Sequence, residues 1–317
     1  MSDTPVRGNV KTIIRLRINS DGNGVRSVVF LYGCPLSCKW CCNPETRFGD
    51  QFREITPEQL LELIARDLIY FQESGGGITF SGGEPLMQYA FIREFACLTR
   101  GLFPINLETS LFAPRQAVAE LIPLIDHWYI DFKAPTEELH RKFTGVPQTP
   151  ILENLSFLAS QIPPEEITMT YPVIPGFTAT ESCAAALIGV MQKNGLTQTE
   201  LHPHRKKSEE KYASVGQESA GIPSLPREDL LHIRKLLQNA GLQTEGSTPI
   251  LERRKCDVLK AIRRTVAARH SIPVDIPDCT YRGNCPGTCP KCEQELAQIN
   301  TWLYLHDLSP LPPKHHT

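Results

Sequence analysis

The chain has 317 residues, of which 41% are hydrophobic and 21% charged, and its 33 Lys+Arg nearly balance 35 Asp+Glu. That balance excludes nucleic acid or another polyanion as the general partner. No apolar run approaches the roughly eighteen residues that cross a bilayer, and residues 1–19 lack the apolar core of a signal peptide. No membrane partner is therefore expected, and the expected location is the cytoplasm.

In chain order, short apolar segments at 27–31, 77–80, 105–108, 128–132, 167–173 and 199–202 predict strands, with helical periodicity between them. The first helix is the best marked. Thr56 offers an N-cap, Pro57 a first helical position and Gln59 a capping-box partner, and Leu60, Leu61, Ile64 and Leu68 make one apolar face. Further helices are predicted at 115–125, 180–193 and 227–240. This alternation over the first 245 or so residues predicts a parallel α/β architecture.

Beyond it the character changes. Residues 251–270 carry seven Lys/Arg against two Asp/Glu on a predicted helix, with Lys255, Arg263 and Arg264 expected on a solvated face, and 272–292 is rich in Pro, Cys and Gly. The expected division is a main α/β domain over 1–245 and a small Cys-rich extension over 246–317.

The residues with chemical potential fall just after the predicted strands. Cys34 follows the first, Ser81-Gly82-Gly83-Glu84-Pro85 the second, Thr109 the third, Lys133 the fourth and His204 the sixth. In (β/α) barrels the carboxyl ends of the strands form the active face, so these distant positions are expected to converge.

Eleven cysteines in a cytoplasmic chain point to metal or catalysis rather than disulfides. Cys34, Cys38 and Cys41, spaced x3 and x2 on one loop, can ligate three irons of a cubane and leave the fourth open to a substrate or cofactor. A zinc site completed by Cys42 is the alternative, although Cys42 adjoins Cys41 and should point away from a shared tetrahedron. Cys279, Cys285, Cys289 and Cys292 offer four thiolates within fourteen residues. They suit a closed [4Fe–4S] cluster or an all-thiolate zinc site, or they merely staple a tail too short to bury a core alone. Cys97, Cys183 and Cys256 stand apart and are expected as small buried hydrophobes.

The C-x3-C-x2-C spacing, with Trp40 before its last cysteine, is similar to the signature of the radical SAM superfamily. The stretch 21–46 around it resembles the opening of glycyl-radical-enzyme activating enzymes, with Asn23 where those carry proline. The resemblance runs from Gly8 to Leu242 and implies a partial (β/α)6 barrel, here with the Cys-rich C-terminal extension. It implies a [4Fe–4S] cluster on Cys34, Cys38 and Cys41 whose open iron binds S-adenosylmethionine (SAM), and reductive cleavage of SAM to a 5′-deoxyadenosyl radical. That radical takes hydrogen from a backbone glycine of a partner glycyl radical enzyme, and no protein acid or base is needed.

By the same resemblance, Trp40 and the stretch Ser81, Gly82, Gly83, Glu84 and Pro85 bind SAM, with Glu84 toward its ammonium group. Glu108 and Thr109 lie near its carboxylate, Asp131 and Lys133 lie beside it, and His204 contacts it. A flavodoxin- or ferredoxin-type donor and an anaerobic setting are implied. The tail cysteines become a possible second cluster or zinc site. Two departures bear on the target: Leu111 replaces a usual glycine and Thr170 a usual arginine, both expected at the rim where the target enters. The rival readings are radical modification of a ribosomal peptide or protein side chain, and a non-catalytic iron–sulfur or zinc protein.

Overall fold

The computed structural model describes residues 5–18, 20–49, 51–204, 207–246, 252–281, 285–309 and 311. Its centre is one nine-stranded sheet in the order β3-β1-β2-β4-β5-β6-β7-β8-β9. The strands are β1 (Gly8–Ile18), β2 (Val25–Leu31), β3 (Arg53–Ile55), β4 (Ile78–Gly82), β5 (Ile105–Thr109), β6 (His127–Asp131), β7 (Ile167–Val173), β8 (Gln198–Pro203) and β9 (Gln243–Gly246). From β2 through β8 every neighbouring pair is parallel, as expected, and helices cross between these six strands. This is a partial (β/α)6 barrel.

Three strands were not foreseen. β1 runs antiparallel to both β2 and β3, and β9 adds a further parallel strand beside β8. The expected parallel architecture is thus extended at one edge, where β1 forms an antiparallel ribbon. The interior strand β2 is buried at all seven positions, Arg26 and Ser27 included, and its apolar run is Val28–Leu31.

The first helix starts as its sequence dictates. Gln59 N donates to Thr56 Oγ1 at 3.3 Å and Thr56 N donates to Gln59 Oε1 at 2.9 Å, closing a capping box ahead of helix Pro57–Ile64. Leu68, expected on the same helix, begins a separate helix, Leu68–Ser74, after a 3-10 turn at Ala65–Asp67. The break coincides with Asp67, fully buried, whose carboxylate receives Arg15 Nε at 2.7 Å and Nη2 at 2.6 Å.

Leu111 departs from its expected place. It is fully buried in the main core rather than at a rim, and it holds a left-handed backbone, φ 61°, between β5 and helix Arg115–Leu121. Asn154 Nδ2 fixes its carbonyl at 3.0 Å, and its own N–H donates to Thr109 Oγ1 at 2.9 Å. A left-handed leucine costs about 1–2 kcal/mol that a glycine escapes. Leu111→Ala keeps that strain and loses about 3 kcal/mol of packing. Leu111→Gly loses the same packing, but relief of strain offsets the extra chain entropy of glycine. Urea unfolding should therefore find the glycine variant at least as stable as the alanine variant, the reverse of the usual order. A glycine variant weaker by about 1 kcal/mol would show that the backbone there is not strained.

The two tail helices, Glu252–Arg269 and Pro290–Leu305, share a second apolar cluster with the barrel. Leu259, Val266, Leu296 and Ile299 pack there against Leu16, Val25, Ile69 and Tyr70. Leu16 sits at a register shift of β1 with φ 59°. Arg263, expected in solvent, is fully buried: its Nη1 donates to the Tyr70 hydroxyl at 2.5 Å and its Nε to Glu295 Oε2 at 3.1 Å. The apolar side of this helix is completed by an ion pair that a composition count does not reveal.

Of the three isolated cysteines, Cys183 lies in the main core as expected. Cys97 is exposed, because helix Tyr89–Leu98 buries Phe91, Ile92, Phe95 and Ala96 on its other side. Cys256 is buried as well. Among the described residues no helix is long and apolar enough to cross a membrane.

Candidate active site

The carboxyl ends of the six parallel strands open onto a cavity of about 380 Å³, a size suited to a small-molecule cofactor. Cys34, Cys38, Trp40 and Cys41 reach it from the loop after β2. Ser81, Gly82, Gly83 and Glu84 line it at β4, Glu108 and Thr109 at β5, Asp131 and Lys133 at β6, and His204 after β8. The convergence expected from the sequence is therefore present. Pro85 is the exception: it is buried as the first residue of the short 3-10 helix Pro85–Gln88 and does not line the cavity.

The cysteine loop is held from several sides. Ser37 N and Lys39 N donate to the carbonyls of Thr144 and Phe143 at 2.6 and 3.1 Å, which fixes the backbone on both sides of Cys38. Trp40 is 7% exposed and packs against Phe143 and Phe177, with ring centroids 5.7 and 5.3 Å away, so much of its indole anchors the loop. From the helix Lys207–Ser214, Lys211 Nζ reaches Cys42 O at 2.9 Å, Asn43 Oδ1 at 3.0 Å and Glu45 Oε1 at 2.9 Å. Burial pushes the Cys34 thiol up to about 11 and that of Cys41 up to about 12, so a metal must displace their protons on binding. Among the described residues no three His, Cys, Asp or Glu side chains converge as one metal ion requires. The three thiols border a cavity, an arrangement that could hold a body larger than one tetrahedral zinc.

The glycine pair after β4 is fitted against β2. Gly83 N donates to Leu31 O at 2.9 Å and Glu84 N to Gly33 O at 2.8 Å. A Cβ on Gly83 would lie 1.9 Å from Gly33 O, so only glycine lets this turn sit against the base of the cysteine loop.

Glu84 does not do what was expected of it. Its carboxylate is 1% exposed and accepts from Thr109 Oγ1 at 2.5 Å, Ser110 N at 2.8 Å and Leu86 N at 3.1 Å, and also from the Ser110 hydroxyl. Four protein donors occupy the lone pairs that an ammonium group would need. Glu84 therefore braces the glycine turn against the end of β5, and the turn's own backbone faces the cavity.

The remaining polar groups line the floor in two bonded sets and one single side chain. Lys133 Nζ donates to Asp131 Oδ2 at 2.6 Å, and Thr170 Oγ1 to Asp131 Oδ1 at 2.5 Å. Burial opposes ionisation of Asp131, yet Lys133 and these bonds hold its carboxyl below the usual range. Thr170, present where an arginine is usual, thus orients Asp131 from the cavity wall. Burial, followed by the nearby Asp21, pushes the Glu108 carboxyl up to about 8 while Ser81 Oγ donates to it at 2.5 Å. Among the described residues His204 Nε2 is buried without a hydrogen-bond partner, an orphaned polar atom beside the cavity that a ligand could satisfy.

Ser110, His202 and Lys211 belong to the site without having been singled out by sequence as site residues. His202 lines the cavity 3.2 Å from Glu200 Oε1. Lys211 and its partner Glu45 in the cysteine loop are 166 residues apart.

Comparison with known proteins agrees with this geometry. Residues 28–183 match the radical SAM superfamily. The 4-hydroxyphenylacetate decarboxylase activating enzyme of Clostridioides difficile is 30% identical over 261 residues, spanning 62% of this chain and 82% of the relative. The pyruvate formate-lyase 2-activating enzyme of Escherichia coli is 30% identical over 258 residues, spanning 71% and 87%. In fold, the chain is similar to a radical SAM methyltransferase from Sphaerobacter thermophilus, with a TM-score of 0.54 and 15% identity over 75% of this chain and 77% of that one.

Proposed function

The chain belongs to the radical SAM superfamily and, within it, to the activating enzymes of glycyl radical enzymes, and from this we infer how its own residues serve that chemistry. Membership brings a [4Fe–4S] cluster and SAM as cofactors and a glycyl radical enzyme as partner. In our reading Cys34, Cys38 and Cys41 hold the cluster. Its carrying observation is that three thiols of one loop share a single cavity with the ends of six strands.

When bound, the cluster supplies one electron to SAM, whose cleavage yields the 5′-deoxyadenosyl radical that removes hydrogen from the partner. The protein's part is binding, orientation and exclusion of water. Trp40 and its aromatic neighbours keep the loop rigid, and Lys211 ties down its far end. The backbone of Ser81–Gly83 receives the methionyl amine, with Glu84 as its brace. Glu108 and Thr109 flank the SAM carboxylate, Lys133 and Asp131 lie beside it, and the free His204 Nε2 finds its partner on SAM. No side chain acts as acid or base.

The barrel spans 1–245 and the extension 246–317. The tail cysteines Cys279, Cys285, Cys289 and Cys292 hold a second iron–sulfur cluster, and a flavodoxin- or ferredoxin-type donor reduces the enzyme in an anaerobic cytoplasm. The target is a backbone glycine on a loop of the partner, because only a Cα without a side chain can approach closely and carry a planar radical. The relocation of Leu111 into the core removes one objection to such a loop. To test this, the enzyme is incubated anaerobically with SAM, reductant and a candidate glycyl radical enzyme from the same organism. The expected result is a glycyl doublet by EPR. Deuterium transfer into 5′-deoxyadenosine from a side-chain-labelled peptide, without a doublet, would move the target to peptide modification.

A further inference from the structure

The charges around the active cavity are paired, with one exception. Lys133 meets Asp131 at 2.6 Å, Lys211 meets Glu45 at 2.9 Å and His202 meets Glu200 at 3.2 Å. Arg47 also lines the cavity, and among the described residues no carboxylate lies within ion-pairing distance of its guanidinium. The two acids left over do not serve it. Glu84 is spent on its four protein donors, and Glu108, pushed up to about 8 by burial and then by Asp21, is held by Ser81.

Arg47 is nonetheless fixed in place. It closes the 3-10 turn Pro44–Thr46 that follows the cysteine loop, where its N donates to Pro44 O at 3.0 Å and its carbonyl accepts from the Tyr32 hydroxyl at 3.3 Å. Its guanidinium carbon lies 4.8 Å from the centre of the Phe48 ring, a partner that steadies a cation without neutralising it. A guanidinium keeps its proton at any working pH. A permanent positive charge without a counter-ion therefore borders the same space as the three thiols of the loop.

Sulfur is the counter-ion that this arrangement suits. Cys34, Cys38 and Cys41 lose their protons when they ligate iron, and so bring three negative charges to a cavity whose other pairs are closed. Burial pushes the Cys38 thiol up, and Lys133 and Arg47 act against it even without metal. Net charge and hydrogen bonds to sulfur help to set the potential of an iron–sulfur cluster. A nearby cation stabilises the reduced form, which carries one more negative charge, over the oxidised one.

We propose that Arg47 tunes the iron–sulfur cluster of the cysteine loop, raising its reduction potential so that the external donor can fill it. This rests on the reading above that Cys34, Cys38 and Cys41 hold that cluster. The electron comes from the donor, and Arg47 exchanges none. In the test, the full chain is reconstituted anaerobically and poised with dithionite at a series of potentials without SAM, and the EPR signal that Cys38→Ala removes is followed. Arg47→Gln should move the midpoint to lower potential by about 59 mV or more, a tenfold weaker one-electron reduction, and Arg47→Lys should recover part of that shift. SAM affinity, read by equilibrium dialysis of the same proteins, should stay that of the parent. An unchanged midpoint in Arg47→Gln overturns the assignment, and a loss of SAM affinity in its place gives the guanidinium to the SAM carboxylate. A shift as large in Arg47→Lys as in Arg47→Gln also overturns it, because charge is then not the cause. If the glutamine variant does not fold, Arg47→Lys against the parent decides alone, with a smaller shift to lower potential expected and no shift overturning the assignment. A parent chain without an EPR signal that depends on Cys38 removes the cluster reading itself, a failure distinct from these.

Discussion

Cys38→Ala should abolish formation of 5′-deoxyadenosine from SAM and dithionite, and reduce the iron content by about four per chain after anaerobic reconstitution. Cys38 is the most informative of the three cysteines because its backbone is pinned on both sides, at Ser37 and Lys39, by carbonyls of a different segment. Trp40 stays locked among its aromatic neighbours. Alanine thus removes one sulfur and leaves the loop in place, so lost activity reports lost ligation rather than lost structure. Thermal unfolding of the metal-free variant should match that of the metal-free parent. Cys42→Ala, at an exposed position of the same loop, should keep both iron and activity. Deoxyadenosine made at the normal rate by Cys38→Ala would sink the reading of the site.

The second large effect is on stability and concerns Glu84. Alanine there strands four donors, from Thr109, Ser110 twice and Leu86, in a place closed to water. Loss of a buried, charge-assisted network of this kind costs about 3–5 kcal/mol. Glutamine retains one acceptor oxygen but turns its NH2 group toward donors, so it should recover only part of the loss. Denaturant midpoints should therefore rank parent, then glutamine, then alanine. If Glu84→Gln unfolds like the parent while its KM for SAM rises sharply, the carboxylate faces the cofactor and the brace assigned to it is wrong.

Most of the strands that carry the site could be read in advance because they hold short apolar runs closed by glycine, proline or a polar residue where the chain turns. β2 is buried throughout, and its Val28–Leu31 run marks it even though Arg26 and Ser27 are buried with it. β1 escaped notice for the opposite reason: Lys11, Arg15 and Arg17 interrupt its apolar residues, and two register shifts break the alternation. Arg15 is acceptable there because Asp67 and Glu293 wait on other elements. β3 and β9, of three and four residues, are too short for any period to emerge.

The site followed the same division. Which residues face the cavity follows from where strands end, so Cys34, Asp131 and His204 could be located. What each side chain does depends on partners brought by other strands. Glu84 looked free in sequence because Ser110 lies 26 positions away, and Lys211 could not be matched to the cysteine loop by any local pattern.

β2 also serves as a ruler. Val25, at its first residue, is packed in the core shared with the tail, and Cys34 follows its last residue, Leu31. Seven residues at about 3.3 Å each set these two ends roughly 20 Å apart. The core shared with the tail therefore lies toward the opposite end of the barrel from the cavity, beyond the reach of any side chain. A metal centre held in the tail, as proposed above, would communicate with the cavity by electron transfer through the strand or by the rigidity of the strand itself, and the two differ in time: an electron would leave the redox state of the tail changed at each turnover, whereas rigidity would leave it untouched.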